Sequence, residues 1–307
     1  MNETPLPPIT VIVPTHNRPE LMARAVLSIV EQTYDGPIEV LVVFDACEPV
    51  LPEVPARPNR WVKALVNERA PGPAGGRNSG VLAASHELIA FLDDDDVWAA
   101  TKIADQVAVV QQHPDTVLFG TAMQVDDGSR LHDRLVPFDR VTHDILLHNR
   151  IAALHTSSLL IRSEAMRGPV GLFDESLPRG YCEDYDLLLR AATIAPIVVV
   201  NRPLVVVRWQ GDSHFLGAWA TYAEALKCLL AKHPGFETSR RAVGRIESQI
   251  AFALAASGDR RQGAGWAWRS LRHDPRQPKA WLALAVALRV ISAARVTRIA
   301  RRFGRSI

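Results

Sequence analysis

Short apolar runs alternate with amphipathic segments through the first third of the chain. Ile9 to Val13 and Ile38 to Phe44 are rich in β-branched residues and predict buried strands, and Trp61 to Leu65 predicts a weaker third strand. Between the first two, the segment from Pro19 to Val30 places apolar residues at helical spacing behind an N-terminal proline. This alternation of strands and helices predicts an α/β fold with a layered sheet.

A fourth strand is predicted from Leu88 to Leu92, and a helix from Asn78 to Ala90 is predicted to lead into it. The glycine-rich loop before this helix suits tight turning and a close approach of the backbone to a ligand. Ligands of such sheets bind outside the carboxyl ends of the strands. Because Pro14, Asp45 and Asp93 each stand at a predicted strand end, we expect them to converge on one crevice.

Four consecutive carboxylates, Asp93 to Asp96, follow directly after the fourth apolar run. Carboxylates packed so closely repel one another, and a hard divalent cation relieves that repulsion. Mg²⁺ and Mn²⁺ take oxygen ligands from carboxylates, water and phosphates. The run therefore predicts a Mg²⁺ or Mn²⁺ site, and the alternative interpretation is an acidic surface loop without an ion.

The chain changes character at about residue 217, where strand patterns end and alanine, leucine and arginine dominate. Two domains are accordingly predicted, at 1–216 and 217–307. The second is expected to be all-helical, with helices at 218–232, 241–256, 260–271 and 278–302. The second and third of these, with Gly258-Asp259 in the turn between them and Asp274-Pro275 after them, suggest one tetratricopeptide-like hairpin.

The last predicted helix combines Trp281 and several leucines and valines with arginines. The arginines are Arg289, Arg295, Arg298, Arg301, Arg302 and Arg305. This combination is typical of a basic amphipathic helix that lies on an anionic membrane surface. The alternative is that the apolar face packs on the preceding hairpin and the arginines are solvated.

Composition limits the classes of function and the compartment. A net charge of +2 over 307 residues argues against a protein built to bind nucleic acid. The three cysteines are widely spaced, which suggests reduced thiols and not a disulfide framework or a zinc site. The first residues lack the pattern of a secretory signal, and no apolar run is long enough to span a bilayer. We therefore expect a cytoplasmic protein, with a peripheral position on the inner membrane face if the last helix binds lipid.

A series of short motifs occurs in a fixed order over about the first 215 residues. They are Ile9 to Arg18, Val42 to Asp45, Gly75 to Gly80, Phe91 to Trp98, His155 to Arg162, Gly171 to Glu175, Glu183 to Arg190 and Val207-Arg208. In this order and spacing the chain resembles the family 2 glycosyltransferases, inverting enzymes with a GT-A fold, which is a Rossmann-like mixed sheet flanked by helices. The C-terminal ninety or so residues lie outside the resemblance.

The resemblance implies roles for residues near the predicted strand ends. Asp93 and Asp95 match the DxD motif and would hold Mg²⁺ or Mn²⁺ against the diphosphate of a nucleotide-sugar donor. His214 is a weaker candidate for a further metal ligand, because Gln210 stands where relatives carry a histidine. The donor-binding residues implied are Pro14, Thr15, His16, Arg18, Asp45, Arg77 and Asp94.

The resemblance also implies a catalytic centre at the start of a later helix. Asp184 would act as the general base toward an acceptor hydroxyl, and Glu183 would support it or bind the acceptor. Asp186 is interpreted as a structural cap or ion-pair partner. The function implied is metal-dependent glycosyl transfer to a glycan or lipid-linked acceptor, in bacterial surface polysaccharide or glycolipid synthesis. The alternative is a non-catalytic nucleotide-sugar-binding or scaffold protein with the same fold.

Other interpretations of the candidate residues stay open at the level of sequence. Asp45 could be an ordinary loop acid, and Arg77 could pair with the acidic run at the surface. Asp96 could cap the helix that follows it. His214 could be a solvent-exposed loop residue.

Overall fold

The computed structural model describes residues 5–209 and 218–302, and it groups them into two compact units. The first unit comprises 5–146, 150–175 and 183–209, and the second comprises 147–149, 176–182 and 218–302. The domain boundaries expected from the sequence remain a prediction. The strands of the first unit are β1 (Ile9–Thr15), β2 (Ile38–Phe44), β3 (Arg60–Val66), β4 (Leu88–Phe91), β5 (Val97–Trp98), β6 (Leu118–Asp126), β7 (Leu131–Arg134), β8 (Arg140–Val141), β9 (Leu160–Arg162) and β10 (Ile197–Arg208).

The sheet of the first unit is mixed, as expected for the predicted α/β class. Its main path runs in the order β3-β2-β1-β4-β9-β6-β10-β5, with β7 paired to β6 and β8 paired to β10. The pairs β3–β2, β2–β1 and β1–β4 are parallel, whereas β9 is antiparallel to both β4 and β6. Since β1, β2 and β4 are parallel, the residues that follow them emerge at one edge, where Pro14, Asp45 and Asp93 were expected.

Helices flank this sheet. They are α1 (Pro19–Val30), α2 (Pro73–Ala83), α3 (Lys102–Gln112), α4 (His143–His148), α5 (Ser163–Arg167) and α6 (Glu183–Ile194). The predicted helix at 78–90 was placed wrongly. Pro73 begins α2 directly after Gly72, which has a φ of 112°, and Ala84 turns to extended backbone before β4. The helix therefore starts at the glycine-rich loop and ends well before the acidic run.

The helices of the C-terminal region are α7 (Trp219–Lys232), α8 (Arg240–Ser257), α9 (Arg260–His273), α10 (Pro278–Ala287) and α11 (Ala293–Arg302). The two predicted helices are present as α8 and α9, and their likeness to a tetratricopeptide hairpin stays a prediction. Gly258 ends α8 in the left-handed conformation, with φ at 100°, and Asp259 caps α9 by accepting from the amide of Gln262. The single helix predicted from 278 to 302 is wrong, because the chain turns between Ala287 and Ala293.

The apolar residues of α10 and α11 are largely used in packing. Ala280, Ala283, Val286 and Val296 are buried in a cluster with residues of α8 and α9. Packing on the hairpin therefore accounts for much of the apolar pattern in the last segment, although Trp281, Leu288, Val290 and Ile299 stay exposed. Among the described residues, no helix is long and apolar enough to cross a membrane.

Candidate active site

The exit of β1 lies beside the acidic run. The hydroxyl of Thr15 donates to Asp94 at 2.8 Å. The guanidinium of Arg18 donates to Asp94 at 3.1 Å and to Asp95 at 3.0 Å. The structure therefore brings two of the predicted donor residues, Thr15 and Arg18, into direct contact with two carboxylates of the run.

Asp94 is nearly fully buried. Burial raises its pKa to about 6, although its hydrogen bond from Thr15 and the charge of Arg18 act in the opposite direction. Asp95 is more open, with a third of its side chain exposed. Burial and the charge of Asp93 raise the pKa of Asp95 against the effect of Arg18.

Asp93, Asp96 and His155 form a cluster that can hold a metal ion. One ligand atom from each of the three lies within 4.8 Å of the others. His155 Nε2 is 3.9 Å from an oxygen of Asp93, and His155 Nδ1 is 3.5 Å from an oxygen of Asp96. His155 was not singled out as a site residue by the sequence. The available signal was its place at the start of a motif of the resemblance.

Asp96 does not cap a helix. Its carboxylate accepts from the hydroxyl of Ser157 at 2.6 Å and from the backbone amide of Arg208 at 3.1 Å. The helix that follows begins instead behind Thr101. Burial of Asp96, which is only 2% exposed, raises its pKa to about 7. The hydroxyl oxygen of Ser157 also accepts a hydrogen bond from the backbone N–H of Asp93 at 3.1 Å.

Arg77 connects the acidic run to the start of α6. Its guanidinium donates to Asp93 at 2.6 Å and to Glu183 at 2.9 Å. The side chain is 3% exposed and lies over the ring of Phe173. Arg77 is therefore a buried arginine and not a surface residue. Its pKa is raised because the charges of Asp93 and Glu183 outweigh desolvation.

The two acids at the start of α6 differ in their electrostatic surroundings. Burial raises the pKa of Glu183 to about 6 despite the charge of Arg77. Burial also acts to raise the pKa of Asp184, but the guanidinium of Arg150, 3.3 Å away, and the backbone amide of Tyr185 bring it below its usual value. Asp184 is thus held as an anion. Asp186 has the structural role expected for it, since it is fully buried and pairs with Arg190 at 2.8 Å.

Asp45 organises the loops at the neighbouring strand ends. One carboxylate oxygen accepts from the side-chain amide of Asn67 and the other from the backbone N–H of Gly72, both at 2.7 Å. The backbone carbonyl of Asp45 lies 2.6 Å from Nδ1 of His16. A proton on Nδ1 makes this a hydrogen bond and leaves Nε2 of His16 as an acceptor.

The remaining predicted residues are located as follows. Pro14 is half-buried next to the start of α2, where a Cβ at Gly76 would lie 3.2 Å from its own Cβ. His214 lies outside the described residues. Arg150 was not predicted from the sequence, and no local motif marks it.

Comparison with known proteins identifies the family. A model described as glycosyl transferase family 2 matches residues 10–167, which is 158 of 307 residues. The UDP-Glc:alpha-D-GlcNAc-diphosphoundecaprenol beta-1,3-glucosyltransferase WfgD of Escherichia coli is 28% identical over 141 residues, covering 46% of this chain and 55% of the relative. The amylovoran biosynthesis glycosyltransferase AmsE of Erwinia amylovora is 24% identical over 212 residues, covering 66% of this chain and 76% of the relative. The chain spans 55% of the Escherichia coli relative and 64% of an uncharacterized glycosyltransferase of Rickettsia prowazekii.

Solved structures show the same fold. Staphylococcus aureus TarS 1–349 in complex with UDP-GlcNAc superposes with a TM-score of 0.65 at 17% identity, covering 97% of this chain and 92% of the other. The mannosyltransferase PcManGT of Pyrobaculum calidifontis, in complex with GDP-Man and Mn2+, gives 0.53 at 19% identity and covers 94% of this chain and 82% of the other. The expected GT-A fold, a mixed sheet with flanking helices and a helical C-terminal region, is confirmed. Together with the match over half of its length, this shows that the chain belongs to glycosyl transferase family 2.

Proposed function

We propose that the protein transfers a sugar from a nucleoside-diphosphate donor to an acceptor hydroxyl, with inversion at the anomeric carbon. Family membership supports the reaction class. The names of the Escherichia coli and Erwinia amylovora relatives support a place in polysaccharide or glycolipid synthesis. The UDP-GlcNAc complex of the Staphylococcus aureus structure supports a nucleotide-sugar donor.

One observation carries this proposal: the guanidinium of Arg77 joins the acidic run to the catalytic helix. Its two nitrogens lie 2.6 Å from Asp93 and 2.9 Å from Glu183. An inverting transfer needs a group that receives the leaving diphosphate and a base on the opposite side of the sugar. A single buried cation that holds both sets of acids fixes the distance between them, which is the pre-organisation such a reaction requires.

The residues near the acidic run fit a divalent cation. The donor set of Asp93, Asp96 and His155 offers two carboxylates and one imidazole within 4.8 Å, and carboxylates with water suit Mg²⁺ or Mn²⁺. Asp95 remains the alternative ligand that the resemblance implies. A cation bound there supplies positive charge for the diphosphate as negative charge grows on it.

Asp184 is proposed as the base. Its lowered pKa keeps the carboxylate ionised, so that it can accept the proton of the acceptor hydroxyl as the oxygen attacks the anomeric carbon. Arg150, at 3.3 Å from this carboxylate, orients it and maintains its charge. The buried Glu183, tied to Arg77, holds the first turn of α6 in place.

The donor nucleotide is proposed to lie at the exits of β1 and β2. Asp45 already accepts two internal hydrogen bonds, so it shapes the pocket and has lone pairs left for a base N–H. Pro14 and His16 line the same edge, and Nε2 of His16 lies 3.3 Å from the side-chain amide of Asn17. Thr15, Arg18 and Asp94 form a bonded group next to the proposed diphosphate site.

The acceptor is proposed to be a glycan or a lipid-linked glycan. A cytoplasmic protein with a peripheral position at the inner face of the membrane would suit such an acceptor.

The test is transfer from a panel of nucleotide sugars to glycan and lipid-linked acceptors with Mn²⁺ present. Asp184→Asn is expected to bind donor as the wild type does but to lower turnover by roughly 10²-fold or more, the scale of lost acid–base catalysis. Asp115→Asn, at an exposed acid in the turn between α3 and β6, is the matched control. Donor binding without transfer to any acceptor, or turnover unaffected by Asp184→Asn, would favour a non-catalytic binding protein or a different base.

A further inference from the structure

The turn between α10 and α11 exposes two apolar side chains at its apex. Leu288 is 72% exposed and Val290 is 78% exposed, the largest values among the exposed large hydrophobic residues of the described chain. Arg289 stands between them and is also exposed. We refer to residues 288–290 as the apex.

The backbone of the apex is already hydrogen-bonded. The amides of Leu288, Arg289 and Val290 donate to carbonyls of α10 at 2.8, 3.0 and 2.9 Å. An N–H group without a partner is strongly disfavoured in an apolar medium. Because these three donors have partners within the turn, the apex can enter a lipid interface without leaving an amide unsatisfied.

Arg289 has an unusual conformation. Its φ is 63°, in the left-handed region where glycine or asparagine usually ends a helix. A long side chain at this position is disfavoured for the fold alone. The conformation places a basic side chain between the two exposed apolar side chains, and this points to selection for something other than stability.

The surrounding charge is of one sign. Residues 275–307 contain eight lysines and arginines and no aspartate or glutamate. The rest of the chain has 27 basic and 33 acidic residues and is therefore net negative. Arg289, Arg295 and Arg298 are exposed, and in the part of the chain that the structure describes no carboxylate pairs with them.

Trp281 extends the exposed apolar surface along α10. It stands seven residues before Leu288, so the two side chains share a face of the helix. The residue is 56% exposed, while its indole N–H donates to the carbonyl of Pro275 at 2.9 Å. The indole N–H is therefore satisfied within the protein, and what the residue offers outward is apolar surface.

We propose that the apex, with Trp281, Arg295 and Arg298, docks onto the surface of an anionic lipid bilayer. Leu288 and Val290 enter the interface, and the arginines lie against lipid phosphates. A nucleic acid would match the charge but not the apolar apex. A second copy of the chain would bring two segments of the same charge together. An anionic bilayer matches both features.

The experiment is flotation of the full-length protein with phosphatidylcholine vesicles, with and without phosphatidylglycerol, at low and high salt. Its readout contains no sugar transfer, so it is independent of the proposed reaction. We expect binding only to the anionic vesicles, weakened by salt. The double variant Leu288→Ser with Val290→Ser is expected to lower binding at least tenfold. The control replaces Leu131 and Leu135, two leucines of the first unit that are more than half exposed, by serine, and this variant is expected to bind as wild type does.

Arg289→Gly separates docking from folding. Glycine relieves the left-handed strain, so this variant is expected to unfold at a higher temperature than wild type. It should nevertheless bind anionic vesicles roughly fivefold more weakly, as expected for one basic residue lost from a lipid surface. The proposal is overturned if wild type does not float, if it floats equally with neutral vesicles, or if the Leu288 and Val290 double variant floats as wild type does. It is also overturned if the protein dimerises through the apex, shown by a dimer that the double variant dissociates.

Discussion

Asp93, Asp94, Asp95 and Asp96 are chemically identical side chains in one short run, yet each has a different electrostatic environment. Asp93, next to Arg77, has a lowered pKa, as Asp184 has next to Arg150. The pKa of Asp94 rises to about 6 and that of Asp96 to about 7, because burial outweighs their partners. The run therefore places an ionised carboxylate, Asp93, beside carboxyls that bind a proton more readily, Asp94 and Asp96. At such a site a metal cation and protons compete for the same oxygens.

The two candidate ligand sets for the metal make different predictions. They share Asp93, but one adds Asp95 and the other adds Asp96 and His155. We expect His155→Ala to weaken Mn²⁺ binding by roughly tenfold or more, on the scale seen when groups around metal sites are removed. Asp95→Asn should have a smaller effect, because in the structure this carboxylate pairs with Arg18.

Titration calorimetry with Mn²⁺, in the presence of a nucleoside diphosphate, measures this difference. Asp115→Asn is the control for the loss of one negative charge. A large loss of affinity in Asp95→Asn with wild-type affinity in His155→Ala would return the ligand set to Asp93 and Asp95.

At this scale the sequence revealed acids that stand in short motifs next to predicted elements, such as Asp93 and Asp184. It did not reveal His155 or Arg150 as site residues. Both reach the site only because the sheet and α6 bring distant segments together, and neither residue type is unusual where it stands. Asp96 was misinterpreted as a possible cap because its partner, Ser157, is far away along the chain.

Helix ends were predictable where glycine or a capping side chain marks them. Gly258 and Asp259 define the turn between α8 and α9, and both predicted helices lie within two residues of the observed ends. The end of α10 was missed because Arg289 adopts the left-handed conformation that a glycine would have announced. The end of α2 was missed because Ala84 carries no breaking signal.

Two glycines of α9 have opposite roles despite being two residues apart. A Cβ at Gly263 would lie 2.8 Å from the backbone N and 3.0 Å from the Cα of Ala255 in α8, whereas a Cβ at Gly265 would meet nothing within 4 Å. Gly263→Ala should therefore destabilise the helical unit, because backbone atoms of α8 must move. Gly265→Ala should stabilise it by about 0.5–1 kcal/mol, the helix-propensity difference between the two residues.

Denaturant unfolding followed by circular dichroism measures both changes. The two variants add the same methyl group to the same helix, so each is the control for the other. Equal effects of the two substitutions would contradict the close approach of α8 and α9 at Ala255.

At the scale of the whole molecule, the shift in composition at about residue 217 indicated a change from mixed sheet to helices. The structure adds that 147–149 and 176–182 group with the C-terminal helices, which no local window of sequence could show. The net charge of +2 also conceals an uneven distribution of charge along the chain. Every charged residue in 275–307 is a lysine or an arginine. Whole-chain composition therefore did not reveal where along the chain the charge is located.

The stability of the metal-free protein is predicted to fall as pH rises from 3.8 to about 7. Asp96 has an ordinary pKa of 3.8 and a folded-state pKa of about 7, so within this window the folded protein binds a proton that the unfolded chain has released. Stability decreases with pH wherever the folded state binds more protons. Asp94, with its pKa raised to about 6, acts in the same direction over part of the window.

Urea unfolding across this window, in the presence of a chelator, measures the effect. Asp96→Asn cannot titrate and should show a shallower fall in the free energy of unfolding than wild type, while Asp115→Asn should follow wild type.

Because metal ligands must be deprotonated, Mn²⁺ competes with the proton on this site. Its stabilising effect should therefore grow with pH and offset the fall in wild type, since a ligand that binds only the folded state raises the apparent stability. A pH dependence identical in Asp96→Asn and wild type would show that Asp96 ionises normally and that burial does not control its proton.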